Sequence, residues 1–458
     1  MHSRRIFLSR AAQVAIAAPA LQILGACTRG GAIQTGLIPD PNGFLDLPEG
    51  FTYWKVSQIG DVMSDGLIEP ARHDGMAAFA IAGAPGKCVL LRNHEISADD
   101  IDEVSAFGEH DALAANIDPD LIYDVTPEGR PLHGGVTALI VDTQSRRTER
   151  SFLALAGTAT NCAGGPTPWG SWLSCEETQE TPGRYARKAH GFVFEVPSNT
   201  TGLVRPTPLT DMGRFRHEAV AIDPASGAVY MTEDDAEGLL YRFLPNVSGE
   251  LARGGRLQAL ALMDHPGADA RNWSSSTMTI ETRAPVPVRW IDLENVAAPD
   301  GDLRLRGRAA GAAIFARGEG MSFALEDGQP VIYFACTSGG ASQRGQIWRL
   351  MPGEDGDLLE LFVESASENE FDMVDNIVAA PWGDLVICED GDGDNYVRGV
   401  SPLGVVYPIA RNAHPDKSEF CGACFSPDGA TLFVNMQRPG ITFAIIGPWA
   451  DLARAART

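Results

Sequence analysis

The chain has 458 residues, 44% of them apolar, with 49 glycines, 30 prolines and a formal charge of −24. That length and apolar content suit one closed all-β repeat fold with a sizeable core. Charge of this sign repels nucleic acid and anionic membrane surfaces, so neither is an expected partner. The excess carboxylate reads either as solubility or as capture of hard cations such as Ca²⁺, and composition by itself favours solubility.

Residues 3–9 read Ser-Arg-Arg-Ile-Phe-Leu-Ser, and an Ala-rich apolar run follows from Ala11 to Ala26. Paired arginines ahead of a mild apolar stretch form the twin-arginine export pattern, which makes the twin-arginine translocase a partner and predicts a periplasmic or cell-envelope location. The run is too short to remain as a transmembrane helix. Leu24-Gly25-Ala26-Cys27 looks like a lipobox, with Cys27 as a lipidated, membrane-attached first residue of the mature chain; ordinary cleavage nearby is the alternative. The expected organisation is a signal peptide over 1–26 and a single domain over 27–458.

Short strands bounded by Pro and Gly then recur along the chain. The first unit runs from His73-Asp74-Gly75 to Leu91–Glu95, with a later strand at Val136–Val141. The second contains TNCAGG (160–165), TPWGSWLSCEE (167–177) and GFVFEV (191–196). The third contains RHEAVAI (216–222), DPASGAVYMTED (223–234) and GLLYRF (238–243). A looser fourth runs from Arg317–Gly320 to Phe334–Cys336 and on to Gln346–Leu350. The fifth has VDNIVAA (374–380), APWGDLVICED (380–390) and YVRGV (396–400); the last has EFCGACF (419–425), SPDGATLFVNM (426–436) and ITFAII (441–446). Such a repeat predicts an all-β, six-bladed β-propeller, monomeric because its edges are short and protected; a β-sandwich or two smaller β domains is the alternative. Segments 99–133 and 250–310 fit no blade and read as insertions on one face.

Cys162 and Glu177, Glu218 and Glu233, and Asp375 and Asp390 are each 15 positions apart. In an antiparallel hairpin that spacing brings each pair to one end of its blade, and a propeller gathers those ends around a central channel. Glu95, Glu319 and Glu389 fall at similar places. For any one of these residues a capped turn carboxylate is an equal reading; the shared spacing is what lifts the set. Gathered carboxylates repel, and the nearby cations Arg92, Arg216 and Arg317 are too few to neutralise them. Bound cations resolve the conflict: Ca²⁺, Mg²⁺ or Fe³⁺ for the oxygens, with the Cys162 thiol pointing to a transition ion. Arg317 lies two residues before Glu319, hence on the same strand face, and an arginine beside a metal ring suits phosphate recognition, or else a salt bridge.

No phosphate-binding glycine loop, dinucleotide fingerprint, nucleophile elbow or HExxH helix occurs. Cys421-Gly-Ala-Cys424 has zinc-like spacing but no partner pair, so a local disulfide or two core thiols is favoured, and a redox role lacks its βαβ context.

At these same residues the chain resembles the PhoX-type alkaline phosphatases. The stretches that carry the resemblance are TNCAGGPTPWGSWLSCEE, GRFRHEAVAIDPASGAVYMTED, Arg-Gly-Glu-Gly at 317–320, DNIVAAPWGDLVICEDG and EFCGACFSPDGATLFVNMQRPGITFAIIGPW. The resemblance implies a six-bladed propeller, twin-arginine export, hydrolysis of small phosphate monoesters, and two oxo-bridged ferric ions (Fe³⁺) with Ca²⁺. It implies that Cys162, Glu218 and Glu319 ligate iron, that Glu177, Glu233, Asp390, Glu95 and Glu389 hold or bridge calcium, and that Arg317 binds phosphoryl oxygens. The chain departs from the family in its shorter length, in Cys421 and Cys424 where small or hydroxyl residues are usual, and in the lipobox. Rival readings are a calcium-dependent propeller lactonase or phosphotriesterase, which needs no thiolate, and a non-catalytic, calcium-stabilised binding propeller.

Overall fold

Alternating β-branched and aromatic residues, stopped at regular intervals by Pro and Gly, fold into short antiparallel strands throughout residues 36–457, which the computed structural model describes. The segment 1–26 read as a signal peptide, and Cys27, lie outside the described residues. Among the described residues helix is confined to Leu303–Ala309, Trp449–Ala456 and a few 3₁₀ turns, and none of it is long and apolar enough to cross a membrane.

The strands form five sheets in a propeller-like arrangement. Leading strands enter the sheets from the axis, two of them the same nine-stranded sheet; they are His73–Ala80, Asn161–Pro166, His217–Ile222, Gly318–Glu326, Val374–Ala379 and Phe420–Phe425. Each packs beside the next in that order, and the last returns to the first. From the axis outward the chain meanders, as in His73–Ala80, Lys87–His94, Gly134–Asp142 and Arg147–Thr158. The sheets led by His217–Ile222 and Gly318–Glu326 join at their outer edges, where Val286–Asp292 bridges Gly255–Leu262 and Leu358–Glu364, making one nine-stranded sheet. The repeat pattern did not foresee most outer strands, and Gly255–Leu262 and Val286–Asp292 fall within the segment read as an insertion at 250–310. Gly255–Leu262 is paired on both sides and buried on both faces over most of its length, so its sequence shows a nearly continuous run rather than an alternation. Segment 99–133 does remain a loop with 3₁₀ turns at Glu109–Asn116 and Pro119–Leu121.

The ring is closed by the two ends of the chain. Thr52–Gln58 supplies the outermost strand beside Ile441–Ile446, so strands from both ends of the chain make one sheet. Arg92 locks that seam: fully buried, it donates to Ser57, Thr442 and Thr137 and pairs with the buried Glu69. Arg92 therefore does not face the carboxylates of the axis.

Leading strands approach one another too closely for side chains at some axial positions. A Cβ at Gly75 would lie 2.5 Å from Ala163 Cα, and one at Gly320 would lie 2.6 Å from the Ile377 nitrogen. Both obstacles are backbone, which cannot swing away. Gly320→Val is expected to lower unfolding free energy by about 3 kcal/mol or more. An unchanged Tm in calorimetry would show that the strands can separate without cost.

Candidate metal centre

The leading strands share a local irregularity. Pairing with the second strand breaks after the first residue or two, leaving Asp74-Gly75, Cys162-Ala163, Glu218-Ala219, Glu319-Gly320, Asp375-Asn376 and Gly422-Ala423 out of register. A bulge re-aims the side chain beside it. Val374 pairs with Glu389 and Phe420 with Met436, so Cys421 occupies in the last sheet the place that Asp375 occupies in its own. Asp74, Cys162, Glu218, Glu319, Asp375 and Cys421 thus stand at matching positions.

The second strands end beside them. Glu176, Glu233 and Glu389 pair with Asn161, His217 and Val374, and successive residues alternate faces, so the next residue of each strand turns to the axis. Those residues are Glu177, Asp234 and Asp390. The constant 15-residue spacing therefore misleads for one hairpin. His217 to Glu233 is one residue longer than Asn161 to Glu176, and the extra residue puts Asp234, not Glu233, at the axis. Glu233 instead accepts from Tyr241 Oη at 2.9 Å and the Leu239 nitrogen at 3.1 Å, with Arg304 at 3.9 Å. Glu389 is likewise held away, by Arg398 and by the nitrogens of Asp372 and Tyr396. Neither joins a group of potential ligands.

What does converge forms overlapping groups. Ligand atoms of Asp74, Glu95 and Cys162, of Cys162, Glu177 and Glu218, of Glu218, Glu319 and Asp375, and of Asp74, Glu419 and Cys421 lie within 4.8 Å of one another in each set. Asp74, Asp234, Glu419 and Cys421 were not foreseen. Asp74 could have been found, because His73-Asp74 begins its strand as His217-Glu218 begins another. Glu419 lies before its strand, where spacing carries no signal.

Electrostatics in this ring are adverse. Burial, then repulsion from neighbouring carboxylates, holds Asp74, Glu177, Glu218 and Glu319 well above the ordinary carboxylate range. Burial likewise raises Glu95 to about 7 and, with Asp390, raises Asp375 to about 8. Burial and Asp390 push Glu419 up as well, and those two side chains hydrogen-bond each other. Burial and the carboxylates also push the Cys162 thiol up; its Sγ donates to Glu218 Oε1 at 3.2 Å. Glu218 Oε2 is buried without any hydrogen-bond partner. Protein cations cover little of this charge: Arg216 donates to Glu177 at 2.7 Å, and Arg317 donates to both Asp234 oxygens at 2.9 and 3.1 Å and to Glu319 Oε1 at 2.9 Å. Arg317 does not reach Glu319 by strand alternation. It precedes the strand with φ of 55°, a left-handed turn that swings its side chain onto Glu319 and leaves it one-third exposed.

An orphaned buried carboxylate oxygen, crowded acids and a thiol fit bound cations with oxygen and sulfur ligands. Beside the ring a cavity of about 570 Å³, lined among others by Glu95, Ser97, Glu177, Gln179, Tyr185 and Arg216, opens to solvent. On the axis beyond the ring lies a cavity of about 390 Å³ whose walls are mainly apolar, among them Met76, Val220, Ile222, Met321 and Phe323, with Thr167, Ser322 and Asn376. No charged side chain lines it, so the charged groups gather at the ring end of the channel.

Over residues 34–440 the sequence matches the family described as alkaline phosphatase PhoX. The chain belongs to that family. It is, accordingly, a metal-dependent phosphatase, a phosphoric monoester hydrolase. Among solved structures, PhoX of Pseudomonas fluorescens in complex with vanadate, a transition state analogue, is similar at TM-score 0.65 and 17% identity, over 88% of this chain and 96% of that one. A gluconolactonase of Xanthomonas campestris is similar at TM-score 0.41 and 12% identity, over 88% of this chain and 97% of that one. A search of curated protein sequences finds no match.

In this PhoX-family phosphatase the axial Glu177 is fixed from behind. Its neighbour Glu176 accepts from the Ala159, Gly191 and Phe192 nitrogens and from His190 Nδ1 at 2.6 Å, while His190 Nε2 donates to Asp124 at 3.1 Å. Burial by itself would lower the His190 pKa; Glu176 and Asp124 outweigh it and raise it to about 9. The imidazolium therefore stabilises the fold fully below its unfolded pKa of about 6.5, and that contribution is lost as pH rises through about 9. His190→Gln is expected to cost about 3 kcal/mol at pH 7 and less above pH 9. Urea titrations at the two pH values check this, and a pH-independent cost would rule out the charged pair.

Proposed function

We propose that this phosphatase is an exported six-bladed propeller that releases inorganic phosphate from small phosphate monoesters at an axial centre of Fe³⁺ and Ca²⁺. The count of six treats the nine-stranded sheet as two blades joined through Val286–Asp292. The observation that carries the chemistry is the contiguity of Cys162, Glu218, Glu319 and Asp375 with Arg317 at one edge. Cys162, Glu218, Glu319 and Asp375 would hold iron, where a sulfur ligand belongs; Glu95, Glu177 and Asp390 offer the oxygen ligands that calcium prefers. When bound, such ions supply positive charge that polarises a phosphoryl group and acidifies water.

The protein's own residues position the ester. Arg317 is anchored through Nε and Nη2, and its Nη1 makes no hydrogen bond to the described residues, so it can donate to a phosphoryl oxygen. Asp234 and Glu319 hold that guanidinium in one orientation, which limits the freedom lost on binding. The cavity lined by Ser97, Gln179, Tyr185 and Arg216 receives the leaving group. The arginine pair at the N-terminus supports passage through the twin-arginine translocase to the periplasm or cell envelope, with lipid attachment at Cys27, and the short edge strands support a monomer.

Elemental analysis of protein exported through its own signal, paired with p-nitrophenyl phosphate hydrolysis before and after EGTA, tests this reading. Iron with calcium, and activity lost to EGTA and restored by Ca²⁺, is expected. Calcium without iron and no monoester hydrolysis would overturn it.

A further inference from the structure

The described cysteines are all free and buried, yet they fall into two kinds. Cys88, Cys175, Cys336, Cys388 and Cys424 pack inside apolar clusters. Cys162 and Cys421 belong to none of them, and both sit at the matching axial positions of their leading strands. The expectation of a disulfide or two core thiols thus holds for neither bond nor place at Cys421: it turns to the axis and Cys424 turns to the core. Around the ring the two thiols stand on either side of Asp74. One group joins Asp74 to Cys162 and Glu95, the other joins Asp74 to Cys421 and Glu419, each within 4.8 Å.

The Cys421 corner is oriented as ligand sets are. Gln437 Nε2 donates to Asp74 Oδ2 at 3.2 Å and to Glu95 Oε2 at 2.8 Å, and Arg72 donates to the same glutamine at 3.2 Å. Asp390 hydrogen-bonds Glu419. Cys421 Sγ lies 3.0 Å from the His73 carbonyl, the one acceptor it has without an ion. Such outer partners fix ligand direction. One sulfur with two carboxylates is a poor set for calcium and a good one for a borderline-soft ion.

We propose that Cys421 is a second thiolate ligand of the ring, and that the Asp74–Glu419–Cys421 corner takes a thiophilic divalent transition ion, with Asp74 shared between the two sulfur-bearing corners. This rests on the reading of the ring as a multi-metal centre. Binding expels the thiol proton to solvent as the sulfur–metal bond forms, so charge and atoms balance without any oxidant.

Cobalt(II) is the probe. Protein stripped by chelator and reloaded with Co²⁺ should show sulfur-to-cobalt charge-transfer absorption in the near ultraviolet. Cys421→Ser and Cys162→Ser should each remove roughly half of it, and the double variant all of it, while Cys424→Ser should keep it whole. Cys421→Asp, which restores an oxygen ligand, should lose the same share while retaining total bound metal; it also serves if the serine variant folds poorly. Wild-type intensity in Cys421→Ser or Cys421→Asp, alongside loss in Cys162→Ser, would overturn the second thiolate and leave the ring standing. A wild type without any charge-transfer band would overturn the metal-ring reading and this inference together.

Discussion

Arg317→Ala is expected to lower kcat by about 10³-fold, with protein that still folds. The guanidinium is held by Asp234 and Glu319 on one side and offers Nη1 on the other. Positive charge fixed before the reaction stabilises developing phosphoryl charge without reorganising. Lysine should not rescue activity, since a single ammonium cannot hold both carboxylates and the substrate in that fork. Arg317→Gly is the cleaner probe of the same point. Arg317 sits at φ of 55°, where a side chain costs about 1–2 kcal/mol and glycine costs nothing, so backbone relief offsets part of the lost ion pairing. Steady-state kinetics on p-nitrophenyl phosphate, with Tm as control, decide the matter. Glycine and alanine variants that turn over at the wild-type rate would remove Arg317 from the mechanism.

Stripping bound cations with EDTA is expected to lower Tm by about 10 °C or more, and to do so more at pH 8 than at pH 5. Each ion held at 100 to 1,000 times its Kd contributes about 3–4 kcal/mol. The pH dependence follows from the ring. Burial, with mutual repulsion, raises Glu95 to about 7 and Asp375 to about 8, and holds Glu218 and Glu319 well above their ordinary values. In the unfolded chain these carboxyls ionise near pH 4. Between about pH 4 and 8 the stripped folded protein binds more protons than the unfolded one, so its stability falls as pH rises. Bound cations neutralise the ring and flatten that slope. Scanning calorimetry with EDTA and with CaCl₂ at both pH values measures it; equal losses at pH 5 and pH 8 would mean the ring carboxylates are not what the cations neutralise.

Much of this was legible without coordinates. Pro-Gly turns, alternating strands and a repeated carboxylate at the end of a strand predict hairpins around an axis, and Cys162, Glu177, Glu218, Glu319 and Asp375 do meet there, with Asp390 beside Asp375. Glu233 shows where spacing fails. Adjacent residues of a strand face opposite ways, so one extra residue in a turn exchanges an axial carboxylate for one buried among Tyr241 and Arg304. Glu419 opens the last repeat stretch, one residue before its strand, but no other leading strand has a carboxylate at that place, so the repeat did not single it out.

The sequence by itself determined the all-β class, the hairpin repeat, the family and the kinds of ligand available, because those follow from local alternation, turn chemistry and residue type. The tertiary structure alone decided that Arg92 closes the seam while Arg317 faces the ring, that Asp234 replaces Glu233, and that Cys421 joins Asp74 across the first and last sheets. These depend on bulges and on strands from opposite ends of the chain lying side by side, and no local pattern encodes a contact made between residues hundreds of positions apart.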